Sequence, residues 1–109
     1  SIAIRPTGRA HFGRAYIRYM RRQYAAALAD ANQSIAIFPR PSGPYALRGL
    51  IEHAMGRKDA ARRDFNEALS RNPQSRLASD GLRALNAGRA PFRPRRYRQR
   101  APGSREGSI

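Results

Sequence analysis

The 109-residue chain has no cysteine and no tryptophan, and it carries only seven acidic residues against 22 basic ones. The absence of cysteine excludes a disulfide framework, a zinc–thiolate site and a thiol nucleophile. The longest apolar run, Tyr24–Ala29, has six residues, whereas a membrane-spanning helix needs about 20. The sequence therefore predicts no transmembrane segment, and no signal peptide is visible in it.

Arginine is what the sequence has in excess, and it gives the chain a formal net charge of +15. Lys58 is the one lysine, and residues 87–109 contain seven arginines beside the single acidic residue Glu106. A charge of this size attracts acidic partners. A composition rich in arginine and alanine is also typical of a GC-rich genome and favours a bacterial origin.

The sequence repeats itself with a period of 33–34 residues. Ser1–Pro6 recurs as Ser34–Pro39, and an offset of 34 aligns later positions. The pairs at that offset include Arg14 with Arg48, Ile17 with Ile51, Ala26-Ala27 with Ala60-Ala61, Asp30 with Asp64, and Pro39 with Pro73. Self-similarity at this period is typical of stacked helical hairpins.

Apolar residues spaced three and four apart predict five helices. We expect these helices at residues 10–21, 24–37, 45–55, 58–71 and 75–86. Pro39 and Pro73 end the second and fourth helices, because the residue before a proline avoids helical geometry. Beyond residue 86, frequent proline and glycine and few apolar residues predict a tail that is disordered when free.

The stretch Tyr45–Pro73 resembles a tetratricopeptide repeat (TPR). The matching positions are Tyr45, Gly49, Gly56, Ala61, Phe65, Ala68 and Pro73. The preceding unit matches less well, since His11 and Ala31 stand where large aromatic residues are usual. Arg48-Gly49 with Asp64 resembles a bacterial variant in which the arginine of the first helix pairs with the aspartate of the second.

The resemblance implies an all-α fold of antiparallel helix-hairpin repeats, a TPR-like α-solenoid, with a capping helix and a basic extended C-terminal tail. The chain divides into the end of an upstream repeat (1–6), two TPR-like repeats (7–41 and 42–74), a capping helix or first helix of a third repeat (75–86), and an Arg/Pro-rich tail (87–109). Because the chain begins inside the pattern at Ser1, we expect it to be a fragment of a longer array.

In the family that the chain resembles, the first helices of the repeats line a groove that holds a peptide or a subunit. The residues expected there are Phe12, Tyr16, Tyr19, Met20, Leu50 and His53. The alternative is that this face of the first helix packs against an upstream repeat. Phe12, Tyr16 and Leu50 stand where chaperone-binding members carry a Lys/Asn clamp for a terminal carboxylate, so chaperone-tail binding is disfavoured.

The tail interleaves arginine with aromatic residues. Its expected binding residues are Arg93, Arg95, Arg96, Tyr97, Arg98 and Arg100. Arginine pairs with phosphate or carboxylate groups, and aromatic rings stack on unpaired bases. We expect the tail to dock on an acidic protein partner; RNA, an acidic membrane surface and a purely solubilising role are the alternatives.

Little in the sequence points to catalysis. His11 and His53 lie at non-equivalent places without neighbouring metal ligands, and no Gly-x-Ser-x-Gly turn or phosphate-binding loop occurs. The sequence predicts a non-catalytic protein-interaction scaffold without cofactor or metal. The alternatives are a ribonucleoprotein subunit and a module attached to an upstream catalytic domain. The oligomeric state is undefined, and cytoplasm is favoured over periplasm.

Overall fold

The computed structural model describes residues 8–94, which form five helices and no strand. In chain order they are α1 (Gly8–Met20), α2 (Tyr24–Ile37), α3 (Gly43–Ala54), α4 (Lys58–Arg71) and α5 (Arg76–Asn86). The all-α prediction is therefore confirmed. The helices α2 and α4 have the predicted bounds; α1 and α3 begin two residues and end one residue earlier than predicted, and α5 begins one residue later.

Local signals explain where the helices end and begin. Phe38 precedes a proline and takes an extended conformation at the end of α2, as Asn72 does at the end of α4. Both therefore follow the geometry that proline imposes on its predecessor. At the start of α5, the Ser75 hydroxyl accepts a hydrogen bond from the Ala78 amide at 3.2 Å, which satisfies one free N–H group of the first turn.

The helices pack as two hairpins and a final helix. α1 packs chiefly on α2, α3 packs chiefly on α4, and α3 also lies against α2 and α5. The core is built largely from alanine and a few large residues, with Tyr19, Leu47, Leu50, Ile51 and Phe65 fully buried. This arrangement is that of an all-α helical repeat, in which each hairpin buries its apolar face against the next.

An arginine–aspartate pair fastens each hairpin at the same place. The Arg14 guanidinium donates two hydrogen bonds of 2.9 Å to the Asp30 carboxylate, and Arg48 binds Asp64 in the same way at 2.7 and 2.9 Å. Both carboxylates are buried. Hydrogen bonding from Arg14 is the main cause that holds the pKa of Asp30 below its usual range. The 34-residue offset in the sequence therefore corresponds to a repeated ion pair.

The Phe65 side chain fills the space between the second hairpin and α5. A Cβ atom added at Gly49 would lie 2.7 Å from the Phe65 ring, and one at Gly81 would lie 2.5 Å from it. Both distances are shorter than any carbon–carbon contact allows. Glycine is therefore required on both sides of the ring, because the helices on either side approach it with their backbones.

The turns after α1 and α3 have the same geometry with different residues. Gly56 has φ +82° and its counterpart Arg22 has φ +64°. In each turn the next amide closes back on the helix, from Gln23 to the Arg18 carbonyl and from Arg57 to the Glu52 carbonyl, at 2.8 Å. Such a turn favours glycine, since an L side chain in the left-handed region is strained by about 1–2 kcal/mol.

We expect Arg22→Gly to stabilise the protein by about 0.5–1 kcal/mol, because relief of the left-handed strain exceeds the extra chain entropy of glycine. Thermal unfolding followed by circular dichroism should show a melting temperature about 2–8 °C higher. Arg21→Gly is the matched control: Arg21 is equally exposed but its φ is negative, so this variant should melt at a lower temperature. Equal effects of the two substitutions would contradict the assignment of strain to Arg22.

Candidate functional site

The chain after α5 crosses from α5 to the end of α1. Gly88 has φ +70°, and the Arg89 amide donates to the Ala84 carbonyl at 2.9 Å, so α5 ends in the same turn as α1 and α3. A second helix follows that turn in both hairpins. Here residues 89–94, which include Pro91 and Pro94, have no regular structure. These residues are called the 89–94 segment below.

A hydrogen bond joins the 89–94 segment to α1. The Tyr19 hydroxyl donates to the Phe92 carbonyl oxygen at 2.8 Å. Tyr19 is fully buried, and this burial raises the pKa of its hydroxyl above the usual range, with the Arg93 charge acting weakly in the opposite direction. The hydroxyl therefore keeps its proton and remains a donor at physiological pH.

Arg93 lies in a cage formed by the end of α1 and the start of α2. Its guanidinium carbon is 4.8 Å from the centre of the Tyr19 ring, a cation–π distance. One nitrogen donates to the Tyr19 carbonyl at 3.2 Å and lies 3.9 Å from the Met20 sulfur, and the other donates to the Tyr24 hydroxyl at 2.8 Å. We call Tyr19, Met20 and Tyr24 the arginine cage.

The 89–94 segment fills only part of the space between α1 and α5. A cavity of about 580 Å³ lies beside it, and its wall includes Phe12, Tyr16, Leu77, Asp80, Phe92 and Pro94. We call this cavity, together with the arginine cage, the groove. A second cavity of about 250 Å³ lies on the α5 side and is also lined by Phe92. Room for a longer extended chain therefore remains on both sides of Phe92.

The predicted groove residues have several different surroundings. Phe12 and Met20 are half-buried, and Phe12 and Tyr16 line the cavity. Leu50 was expected to face the groove and does not: it is fully buried because α5 packs over α3, and a Cβ at Gly81 would lie 3.1 Å from it. Tyr19 is fully buried as well, since Arg93 lies over its ring. The sequence pattern did not reveal that α5 covers Leu50 or that Arg93 covers Tyr19.

His53 is buried beside the 89–94 segment. Burial is the main cause that lowers the pKa of its imidazole, the charge of Lys58 adds to this, and a hydrogen bond with the Arg89 backbone opposes it. His53 is therefore neutral at physiological pH.

Arg93 is the one predicted tail residue within the described part of the chain, and it binds the arginine cage. Arg95, Arg96, Tyr97, Arg98 and Arg100 lie outside the described residues. The sequence interpretation missed Tyr24 and Phe92 as site residues. The signal that was available is the run from Pro91 to Pro94, which brackets an aromatic–arginine pair at the position where a second helix would otherwise begin.

A second polar cluster lies under the Arg48–Asp64 pair. Glu52 is buried with its Oε2 atom 3.9 Å from Arg48, and its Oε1 atom has no hydrogen-bond partner among the described residues. Burial and the neighbouring Asp64, opposed by Arg48 and Arg57, together raise the pKa of Glu52 to about 8. The cluster packs the hairpin and does not open onto the groove cavity.

Within residues 8–94, no cluster of three or more histidine or acidic side chains could hold a metal ion. None of the helices described is long and apolar enough to span a bilayer.

Fold and site together define an all-α helical-repeat protein whose 89–94 segment lies across one end of the groove. The chain is similar to RNA polymerase II-associated protein 3 from Mus musculus, with 32% identity over 83 residues. The match covers 76% of this chain and 12% of that protein, so the chain spans about an eighth of the length of this curated relative. No protein-family model and no solved structure matches the chain.

Proposed function

We propose that the chain is a TPR-type, non-catalytic scaffold that binds a protein partner through the groove between α1 and α5. The observation that carries the proposal is the 89–94 segment itself, an extended peptide held by the Tyr19 hydroxyl and the arginine cage. A surface that holds one extended peptide through backbone and side-chain contacts has the properties that peptide recognition requires.

The repeated parts of the structure support the TPR assignment. Arg14–Asp30 and Arg48–Asp64 recur at an offset of 34 residues, and so do the turns at Arg22 and Gly56. The buried carboxylates of Asp30 and Asp64 join the two helices of each hairpin, which supports a structural role for them in a scaffold. The division of the chain into repeats at residues 7–41 and 42–74 stays a prediction.

The name of the mouse relative describes a protein that associates with a polymerase, and this supports an interaction role for the present chain. A similarity over 12% of that relative is too short to carry over its particular partner. We therefore propose the coarser function, docking of a protein within an assembly. The basic tail contributes by attracting an acidic surface on the same partner. Attachment of this module to an upstream catalytic domain remains the alternative stated from the sequence.

The test compares two identical substitutions on opposite faces of α5. Leu77 lines the groove cavity, whereas Leu82 lines the cleft that also contains Leu69, and both leucines are half-buried. In quantitative capture experiments with the tagged full-length protein, Leu77→Arg should reduce recovery of its protein partner at least tenfold. Leu82→Arg should retain it, provided that both variants keep their helicity. Equal recovery with both folded variants would contradict a groove-based function.

RNA binding is the second candidate, because seven arginines and two aromatic residues lie in residues 87–109. Binding through such a tail would weaken steeply with salt, since each phosphate contact releases a counterion. Truncation after Asn86 should then reduce RNA affinity severalfold or more. An unchanged RNA affinity after truncation would remove the tail from consideration, and salt-insensitive protein binding would favour the groove.

A further inference from the structure

We propose that the groove recognises an extended partner segment containing an aromatic–arginine pair, and that Phe92-Arg93 is the chain's own competing ligand. The inference rests on the proposed function and adds two things to it: the chemistry of the partner and a competition within the chain. The contacts of Arg93 closely match one type of side chain.

The arginine cage is specific for a planar cation. The Tyr19 ring offers a face at 4.8 Å, while the Tyr19 carbonyl and the Tyr24 hydroxyl accept hydrogen bonds from two different nitrogens. A guanidinium meets all three groups at once, because its donors are fixed in a plane that also stacks on the ring. A lysine ammonium is a point charge and cannot stack while it reaches both acceptors.

The acceptors that hold the arginine carry no formal charge. A phenol oxygen and a backbone carbonyl bind the guanidinium in a half-buried place. Affinity at this site therefore depends on geometry and on the ring face more than on long-range attraction, and it should change little with salt. That distinguishes the site from a tail that binds phosphates, whose affinity falls steeply with salt.

The aromatic residue before the arginine is held through its backbone, and cavities remain on both sides of its ring. Phe92 accepts from Tyr19 and lines both the 580 Å³ and the 250 Å³ cavities. The chain's own segment must also reach the cage from the end of α5 across only a few residues. A partner segment free of that tether can fill more of the groove, and it would displace the 89–94 segment.

The probe for this competition is a fluorescein-labelled peptide with the sequence Ala-Pro-Phe-Arg-Pro, measured by fluorescence anisotropy against the full-length protein. Phe92→Ala/Arg93→Ala removes the internal competitor and leaves the cage residues in place. This variant should bind the peptide at least tenfold more tightly than the unsubstituted protein. The peptide with citrulline or lysine in place of arginine should bind it at least fivefold more weakly.

A matched control comes from the second aromatic–arginine pair of the tail. Tyr97→Ala/Arg98→Ala likewise replaces an aromatic residue and the arginine after it, so peptide affinity should stay at the value of the unsubstituted protein. An equal gain in affinity from this control would overturn the assignment of Phe92-Arg93 as the competing ligand. Adding Tyr24→Phe to the Phe92→Ala/Arg93→Ala protein removes one acceptor of the cage and should weaken peptide binding severalfold while leaving helicity unchanged.

The inference and the proposed function can fail separately. If the folded Phe92→Ala/Arg93→Ala protein does not bind the peptide, or binds the citrulline peptide equally well, the arginine cage is not a recognition site. If Leu77→Arg still abolishes partner capture in that case, the proposed function of the groove is retained, and only the proposed chemistry of its ligand is rejected. Loss of both effects overturns both proposals.

Discussion

Replacing Phe65 with alanine is expected to lower the free energy of unfolding by about 3–5 kcal/mol, the range for large aromatic side chains in a packed core. Phe65 is fully buried, and its ring lies against Gly49 and Gly81. Neither glycine has a side chain that could close the cavity left behind. For a domain of this size, the melting temperature should fall by more than about 10 °C.

The first hairpin suggests how this loss could be repaired. At the 34-residue offset, Ala31 occupies the place of Phe65 and Leu47 occupies the place of Gly81. Both Ala31 and Leu47 are fully buried. We therefore expect the two junctions between successive hairpins to fill equivalent spaces from opposite sides. One uses a large residue on the second helix of the hairpin, and the other uses a large residue on the helix that follows.

We therefore expect Phe65→Ala/Gly81→Leu to be more stable than either single variant. Gly81→Leu alone forces a side chain against the Phe65 ring, since even its Cβ would lie 2.5 Å away, and it should unfold the junction. A double-mutant cycle in urea should give a coupling energy of at least about 2 kcal/mol. The control Phe65→Ala/Ser79→Leu places leucine elsewhere on α5 and should rescue nothing.

Additive losses in the cycle would contradict the equivalence of the two junctions. The equivalence also explains why Ala31 departs from the aromatic residue expected at its position. On that correspondence, Leu47 from the next helix fills the space that an aromatic ring would fill. Within its own helix, Ala31 lacks the large side chain expected at that position of the repeat. When the next helix is considered as well, a large side chain is present, but it comes from that next helix.

Much of the fold was accessible from the sequence because repeat proteins use local signals. Apolar spacing and the two prolines at 39 and 73 set the bounds of α2 and α4. The 34-residue recurrence predicted the hairpins, and the resemblance to a TPR variant implied the pairing of Arg48 with Asp64. These features depend on residues no further apart than one repeat, so the pattern itself contains them.

The groove was less accessible because its contacts span most of the chain. Tyr19 and Phe92 are 73 residues apart, and the carbonyl of Phe92 has no sequence signature. Periodicity placed Tyr19 on one face of α1, and the TPR resemblance placed Leu50 in the groove, but neither could show that Arg93 lies over the first and α5 packs over the second. The aromatic–arginine pair between two prolines was visible, but where it docks was not.

The substitution Glu52→Gln is expected to stabilise the protein by about 1–3 kcal/mol at pH 8 and to have little effect near pH 4. Burial raises the pKa of Glu52 from 4.5 to about 8 in the folded state. Below pH 4.5 both folded and unfolded chains hold the proton, so the group contributes no difference. Between pH 4.5 and 8 the unfolded chain releases the proton while the folded chain retains it, so stability falls as pH rises.

The size of this effect is bounded by the pKa shift. A shift from 4.5 to about 8 corresponds to an upper limit of about 5 kcal/mol. The opposing charge of Arg48, 3.9 Å from the carboxylate, is already included in that shift, and the gain falls below the limit because the buried glutamine amide itself lacks full hydrogen bonding. Glu67→Gln is the matched control: Glu67 is half-exposed and paired with Arg71, and its loss should change stability by no more than about 1 kcal/mol.

Ionisation of Asp30 has the opposite effect on how stability changes with pH, and it acts at lower pH than Glu52. Its pKa lies below 3.8 in the folded state, so the stability it contributes is present above that value and is lost as pH falls through the folded pKa. Together, Asp30 and Glu52 should place the stability maximum of the unsubstituted protein at mildly acidic pH. In Glu52→Gln the decline of stability between pH 4.5 and 8 should be smaller. Urea unfolding of both proteins at pH 4, 6 and 8 measures this difference. A constant difference between the two proteins across these pH values would show that the pKa of Glu52 is the same in the folded and unfolded chains, which would contradict the shift caused by burial and Asp64.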